Sequence, residues 1–184
     1  MRRLAIAIVS LASVLTAVSA RAVDVAGRCS VTFFATATLH DFEGKAPCAL
    51  LSIEPPDASG AYRARAELAV EQLDTGIAAR NEKMRAMFDA QKFPRITARF
   101  EKIDPDALRA RPGALPFQLT IHGVEHAVTP ELSEWSEVPG QRAHFRAAFT
   151  VALSEFGMEA PTAVGLVRVG DRVRVVVDVE LIAR

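Results

Sequence analysis

The sequence predicts an all-β fold: an antiparallel, up-and-down barrel of about eight strands with one short helix near residues 80–91. Three observations carry this. Apolar side chains recur at every second position over most of the chain, clusters of turn-forming residues interrupt those runs, and a single stretch has its apolar residues at helical spacing instead. A chain with this many antiparallel strands must protect its edges, and closure into a barrel removes them.

The first segment stands apart from the domain. Arg2 and Arg3 precede the apolar run LAIAIVSLASVLTAV (4–18), and VSA (18–20) and ARA (20–22) are small-x-small cleavage sites. That is the layout of a secretory signal peptide, cut after residue 20 or 22. The run is shorter than the ~20 residues a spanning helix needs. No other segment is long and apolar enough, so the mature chain is expected to have no integral membrane span. Cleavage after Ala20 leaves 20 basic against 22 acidic side chains. Without a basic excess or a basic stripe, nucleic acid is not an expected partner. Residues 23–184 contain no obvious linker, repeat or low-complexity tract and read as one domain.

Taken in order, VTFFATATL (31–39) gathers Val31, Phe33, Ala35, Ala37 and Leu39 on one face. YRARAELAVEQL (62–73) turns Tyr62, Ala64, Ala66, Leu68 and Val70 inward, with Arg63, Arg65, Glu67 and Glu71 outward. RNEKMRAMFDAQ (80–91) breaks the alternation: Met84, Met87 and Phe88 fall on one helical face, and Pro94 stops the helix soon after Phe93. RITARFEKI (95–103) resumes period two with Ile96, Ala98 and Phe100, and PFQLTIH (116–122) continues it with Phe117 and Leu119. AHFRAAFTVALSEF (143–156) aligns Phe145, Ala147, Phe149, Val151 and Leu153, and ends on Phe156. RVRVVVDVEL (172–181) aligns Val173, Val175, Val177, Val179 and Leu181. Less regular strands are expected at 48–54, 124–133 and 163–168. Turn signals stand at DFEG (41–44), PPDASG (55–60), PDALRARPG (105–113), HG (122–123), VPG (138–140) and VGD (169–171).

The inward faces carry most of the ten Phe residues, interleaved with Ala35, Ala64, Ala66, Ala98 and Ala147. Large rings beside alanines leave shaped space, which suggests an apolar cavity; a solid core is the competing reading. Cys29 and Cys48 form an isolated pair in an exported chain, expected to be a structural disulfide; their spacing is not that of a C-x-x-C redox couple.

Catalytic and metal readings are weaker. His40 and Asp41 would point to opposite faces of a strand and form no orienting pair. In a turn, Asp41 is a good turn former and Gly44 can supply positive φ. No nucleophile elbow is present. HGVEH (122–126) offers the best histidine pair. With Gly123-Val124 as a two-residue hairpin loop, however, His122 and His126 fall on opposite faces, while zinc needs three or four converging ligands. No catalytic residue, metal or cofactor is assigned.

Four motifs in order resemble the YceI-like family of exported, lipocalin-like proteins associated with polyisoprenoid or other lipid binding. They are VTFFATATLHDFEG (31–44), LAVEQLDTGIAARNEKMRAMFDAQKFPRITARFEKI (68–103), LPFQLTIHGVEHAV (115–128) and SEFGMEAP (154–161), spread over nearly the whole mature chain. Asn81 stands where many members have Asp, and the cysteine pair is not a general family feature. The resemblance implies a periplasmic barrel whose apolar tunnel holds a long-chain amphiphile, and a homodimer. The wall would be built from Phe33, Ala35, Leu68, Val70, Met84, Met87, Phe88, Phe93, Ile96, Phe100, Phe117, Leu119, Phe145, Phe149, Val151 and Phe156. His40, Thr75, Arg80 and Asn81 are the candidates for a polar mouth. The expected role is carriage or storage of a lipid or isoprenoid. The alternative is a non-catalytic exported stress or accessory protein with a solid barrel core, acting through protein contacts.

Overall fold

The computed structural model of the chain describes residues 25–104, 106, 115–138, 142–160, 162–163 and 167–183. The expected signal peptide, most of the 105–113 and 138–140 turns, and residues 164–166 of the expected 163–168 strand lie outside them. The strands are β1 (Val25–Ala37), β2 (Phe42–Pro47), β3 (Leu50–Ile53), β4 (Tyr62–Ala69), β5 (Arg95–Ile103) and β6 (Phe117–Ile121), followed by β7 (Val124–Val128), β8 (Glu131–Val138), β9 (Arg142–Ala152), β10 (Thr162–Ala163) and β11 (Val167–Ala183). One α-helix, α1 (Ala78–Met87), and two short 3₁₀ turns, Val70–Gln72 and Leu153–Phe156, complete the described elements.

All pairings are antiparallel, and chain neighbours remain spatial neighbours, but the ladder does not close into the expected eight-stranded barrel. It divides into a six-stranded sheet, β2-β1-β11-β9-β8 with β10 beside β11, and a five-stranded sheet, β3-β4-β5-β6-β7. The reason is local. The chain passes from one sheet to the other at two corners, the first just before the expected 48–54 strand and the second inside the expected 124–133 strand. At the first corner, Pro47 supplies no N–H, and the next two amides serve different sheets: Cys48 N donates to Cys29 O (2.9 Å) and Ala49 N donates to Glu67 O (2.7 Å). At the second, Pro130 follows Thr129, is almost fully buried, and interrupts the 124–133 run between β7 and β8. Strands that switch sheets at bends are how packed sheets turn corners.

The first seam is held by more than its corner. The Cys29–Cys48 disulfide forms as expected, with Cα atoms 5.3 Å apart. Within β2, Lys45 and Asp74 exchange both backbone hydrogen bonds (2.7 and 2.9 Å), tying the strand to the segment before α1.

Several local expectations are corrected. DFEG is not wholly a turn: only residues 38–41 turn, and β2 begins at Phe42. Gly44 does not supply positive φ there. It lies opposite Phe33 in the β1–β2 register, and a Cβ at 44 would overlap the Phe33 ring, so the glycine makes room for an aromatic side chain. The 122–126 hairpin turns on His122-Gly123, with φ of 50° and 79°, and pairs Ile121 with Val124. Two central residues of positive φ define the turn that matches strand twist, so the loop lies one residue before the expected Gly123-Val124. The 62–73 strand stops at Ala69 because the chain coils into a 3₁₀ turn that buries Val70 completely. The 143–156 strand stops at Ala152 for a similar turn, where Ser154 N and Oγ both donate to the Asp171 carboxylate at 2.8 Å. Helix α1 starts at Ala78 and ends at Met87, short of the expected residue 91. Asp89, at φ 45°, turns the chain out of the helix, and its carbonyl accepts from Phe93 N at 2.8 Å.

The buried core gathers Met84 of α1 and Phe88, just past its end, with Val70, Leu73, Ile121, Val151 and Leu153. No helix among the described residues is long and apolar enough to cross a membrane.

Because the disulfide fastens the first seam, replacing both Cys29 and Cys48 by Ser is expected to lower stability by about 3 kcal/mol, from the loop it closes. Thermal unfolding should record a fall of roughly 6–12 °C. Reductant should produce the same fall in the unsubstituted protein and none in the double variant.

Candidate ligand-binding cavity

The alternation in the strands has a direct geometric result: one face of nearly every strand looks into a common interior. That interior is not filled. A cavity of about 540 Å³ lies between the sheets, within the ~300–1,000 Å³ usual for small-molecule sites. Cys29, Val31, Phe33, Ala35 and Ala37 of β1 all line it. Eight residues of strand at ~3.3 Å each make it about 26 Å long. Across the register, Val173, Val175, Val177, Val179 and Leu181 of β11 line the same length. The sheet opposite contributes Ala64, Ala66 and Leu68 from β4 and Ile96, Ala98 and Phe100 from β5. Ala66 and Ala98 face each other in register, so two of the narrowest side chains stand side by side where rings would otherwise meet.

The two ends differ. Toward the disulfide, the lining is Leu51, Ile53, Ile103, Leu115, Trp135 and Phe145, with the Trp135 and Phe145 rings stacked at 5.4 Å. Toward α1 it includes Leu39, His40, Phe42, Ala79, Arg80, Lys83, Met84 and Met87. Leu39 is 71% exposed, so this end meets solvent. Apart from the bonded cysteines, the ionisable side chains that line the cavity are His40, Arg80 and Lys83, all at the helix end; among the described residues no Asp or Glu lines it.

Arg80 is held in place by a chain of hydrogen bonds. Its Nε donates to Thr75 Oγ1 and its Nη2 to Thr75 O, both at 2.9 Å, and its guanidinium lies 4.3 Å from the centre of the Phe42 ring. Thr75 is fixed in turn by Asn81: Asn81 Oδ1 accepts from Thr75 N (2.9 Å) and Thr75 Oγ1 (2.6 Å), while Asn81 Nδ2 donates to Asp74 Oδ1 (2.7 Å). That amide hydrogen bond, with one from Gly76 N, holds the Asp74 carboxyl below its ordinary value of 3.8.

Thirteen of the sixteen apolar residues expected in the wall line the cavity: Phe33, Ala35, Leu68, Met84, Met87, Phe88, Ile96, Phe100, Phe117, Leu119, Phe145, Phe149 and Val151. Three do not. Val70 leaves the strand period in its 3₁₀ turn and packs in the core beneath the helix. Phe93 covers the hairpin instead, its ring 4.5 Å from that of His122 and against Gly123. Phe156 is buried in the second 3₁₀ turn, edge-on to His126 at 5.0 Å. Of the four mouth candidates, His40 and Arg80 line the cavity, while Thr75 and Asn81 are buried behind Arg80 and position it. His40 and Asp41 sit in the β1–β2 turn, where Asp41 Oδ1 accepts from Ala37 N rather than from the imidazole. His122 lies in its hairpin turn, and His126 Nε2 is 2.9 Å from Glu155 O. Among the described residues no group of three or more His, Cys, Asp or Glu side chains is arranged to hold a metal ion.

Sequence reasoning missed Lys83, Trp135, Leu51 and Ile53 as lining residues. Lys83 was legible: it lies three residues from Arg80 and four from Met87, on the same helical face. Trp135 was not, because the irregular register of β8, with Glu134 at φ 54°, precedes it.

Residues 15–181 match the YceI-like domain, and the chain belongs to that family. Its fold is shared by solved structures of low identity. A polyisoprenoid binding domain from Saccharophagus degradans, described as implicated in plant cell wall breakdown, is 16% identical with a TM-score of 0.64, covering 88% of this chain and all of its own. Burkholderia cenocepacia BcnA is 19% identical with a TM-score of 0.63, covering 83% of this chain and 95% of its own. The Campylobacter jejuni YCEI protein is 18% identical with a TM-score of 0.51, covering 73% and 80% respectively. No curated protein matches the chain.

Asn81→Ala removes the acceptor for two buried Thr75 donors, and should destabilise the protein by about 2 kcal/mol, roughly 4–8 °C in a thermal melt. The same variant should let the Asp74 carboxyl rise toward 3.8 in an NMR titration. Since the folded value is the depressed one, the stability this carboxylate contributes is present above pH 3.8 and lost as pH falls through the lowered value. An unchanged Asp74 titration would show that the amide does not control it.

Proposed function

We propose that the chain is an exported, single-domain binding protein, comprising residues 23–184 after removal of the signal peptide, that carries or stores a long-chain lipid or isoprenoid in its interior. The observation that carries this is the cavity: about 540 Å³, some 26 Å long by strand rise, and apolar everywhere except at one end. Each buried methylene is worth ~0.8 kcal/mol, so a ten-carbon tail gains ~8 kcal/mol. That is of the size of the ~4–15 kcal/mol that association costs in lost freedom; longer tails or polyprenyl chains bind with a margin. Phe and Met side chains supply this without any chemical step, and Met84 and Met87 adapt to an irregular chain.

Membership of the YceI-like family and a fold shared with a polyisoprenoid binding domain support the ligand class. The disulfide supports an oxidising compartment, and with it a periplasmic location. The solid-core alternative, a partner protein acting by surface contact alone, has the cavity against it.

Native mass spectrometry of purified protein, before and after extraction with organic solvent, tests the reading. A mass step of several hundred daltons that extraction removes is expected, and the same spectrum reads out the homodimer as a doubled mass. Ala66→Phe, which puts a ring into the space left beside Ala98, should abolish the step while leaving a folded, cooperatively melting protein. Protein that carries no ligand and takes none up from a detergent-free lipid extract would end the carrier reading.

A further inference from the structure

The helix end of the cavity has an electrostatic arrangement that folding alone does not require. Arg80 stands in the first turn of α1, where the positive end of the helix dipole disfavours a cation, and that turn contains no acidic residue. Lys83, three residues on, adds a second positive charge on the same face, a placement that destabilises an isolated helix. Neither is neutralised: among the described residues no carboxylate pairs with Arg80 or Lys83, and none lines the cavity. The network behind Arg80 presents it with neutral partners only, the hydroxyl and carbonyl of Thr75, which take Nε and Nη2. Nη1 is left without a hydrogen bond among the described residues, at the edge of a cavity whose opposite end is wholly uncharged. His40, on the β1–β2 turn, faces the same opening.

Resting on the carrier reading above, we propose that the occupant is a single-tailed amphiphile with an anionic head, a phosphate or carboxylate. Arg80 and Lys83 hold the head at the helix end, His40 flanks it, and the tail runs toward Trp135 and the disulfide. Arg80 is the fixed element, clamped through Thr75 and stacked on Phe42, so its guanidinium approaches an oxyanion without losing further side-chain freedom. Lys83 is exposed and closes over the head as a mobile point charge. The two positive charges on one helical face, unfavourable in the empty protein, are relieved when the anion lies between them.

Trp135 is the chain's one tryptophan and lines the tail end of the cavity, so its fluorescence reports tail entry independently of the head. Delipidated protein is titrated with dodecyl phosphate, dodecanol and dodecyltrimethylammonium, each below its aggregation concentration. Dodecyl phosphate is expected to bind at least about tenfold tighter than dodecanol, with the ammonium weakest. Lys83→Glu and Arg80→Gln should each reduce the ratio of dodecyl phosphate to dodecanol affinity by most of that factor. Lys102→Glu, an equal change of charge on a strand residue outside the cavity, should preserve it. Inorganic phosphate in large excess should not displace dodecyl phosphate. Equal affinity for the phosphate and the alcohol would overturn the proposal and leave the carrier reading intact. An advantage that survives both cavity variants, or full competition by inorganic phosphate, would overturn it as well. Failure of all three amphiphiles to perturb Trp135 would remove the carrier reading and this proposal together.

Discussion

The interior exists because alanines occupy inward positions that larger side chains would fill. Ala66 and Ala98 stand side by side on one sheet, and Ala35 and Ala147 on the other, among rings that still find partners: Phe117 meets Phe149 edge-on at 5.4 Å, and Trp135 stacks on Phe145 at 5.4 Å. Protein cores ordinarily close such gaps, since unfilled space forfeits dispersion contacts. Here the rest of the molecule is arranged so that the gap survives. The compact core is displaced to one end, beneath α1 and the two 3₁₀ turns, where Val70, Phe88 and Phe156 pack tightly. Core and cavity share a wall: Leu73, Met84, Phe88, Ile121, Val151 and Leu153 belong to both, while Val70 and Phe156 lie wholly in the core.

The same displacement explains why hydrogen-bond networks crowd the helix end. Residues 74–81 must hold a short helix against two sheets and also aim one cation into the opening. Asp74, Thr75 and Asn81 do both by bonding to each other and to Arg80. None of them touches the cavity except through Arg80. A residue can be essential to a site's geometry while lying entirely behind it.

Most of the fold was legible because period two is imposed by the backbone itself: successive strand side chains point to opposite faces whatever their chemistry. The stretches 31–39, 143–153 and 172–181 placed their inward residues correctly for that reason. What escaped was departure from the period. Val70 and Phe156 continue an apolar pattern into 3₁₀ turns, and pattern alone carries no sign that the backbone has changed. The corner at Pro130 escaped because the 124–133 run was read through its proline, and β2 escaped because its first residues were read as a turn. Gly44 was taken for a turn glycine, when the constraint on it comes from Phe33, eleven residues away on the neighbouring strand. The polar mouth was half legible: sequence proximity found Thr75, Arg80 and Asn81 together, but only coordinates separate the side chain that faces the opening from those that steer it.

The division of the ladder at two corners has a mechanical implication. A cylinder closed by an unbroken ring of backbone hydrogen bonds has a girth set by strand number and stagger, and it can stretch only by rupturing bonds. Two curved sheets joined along seams behave more like the valves of a shell. The seam at Cys29–Cys48 acts as a sewn edge, and the one at Pro130 rests on packing. A change of angle at the edge without a disulfide would alter the volume between the sheets with every strand pairing kept.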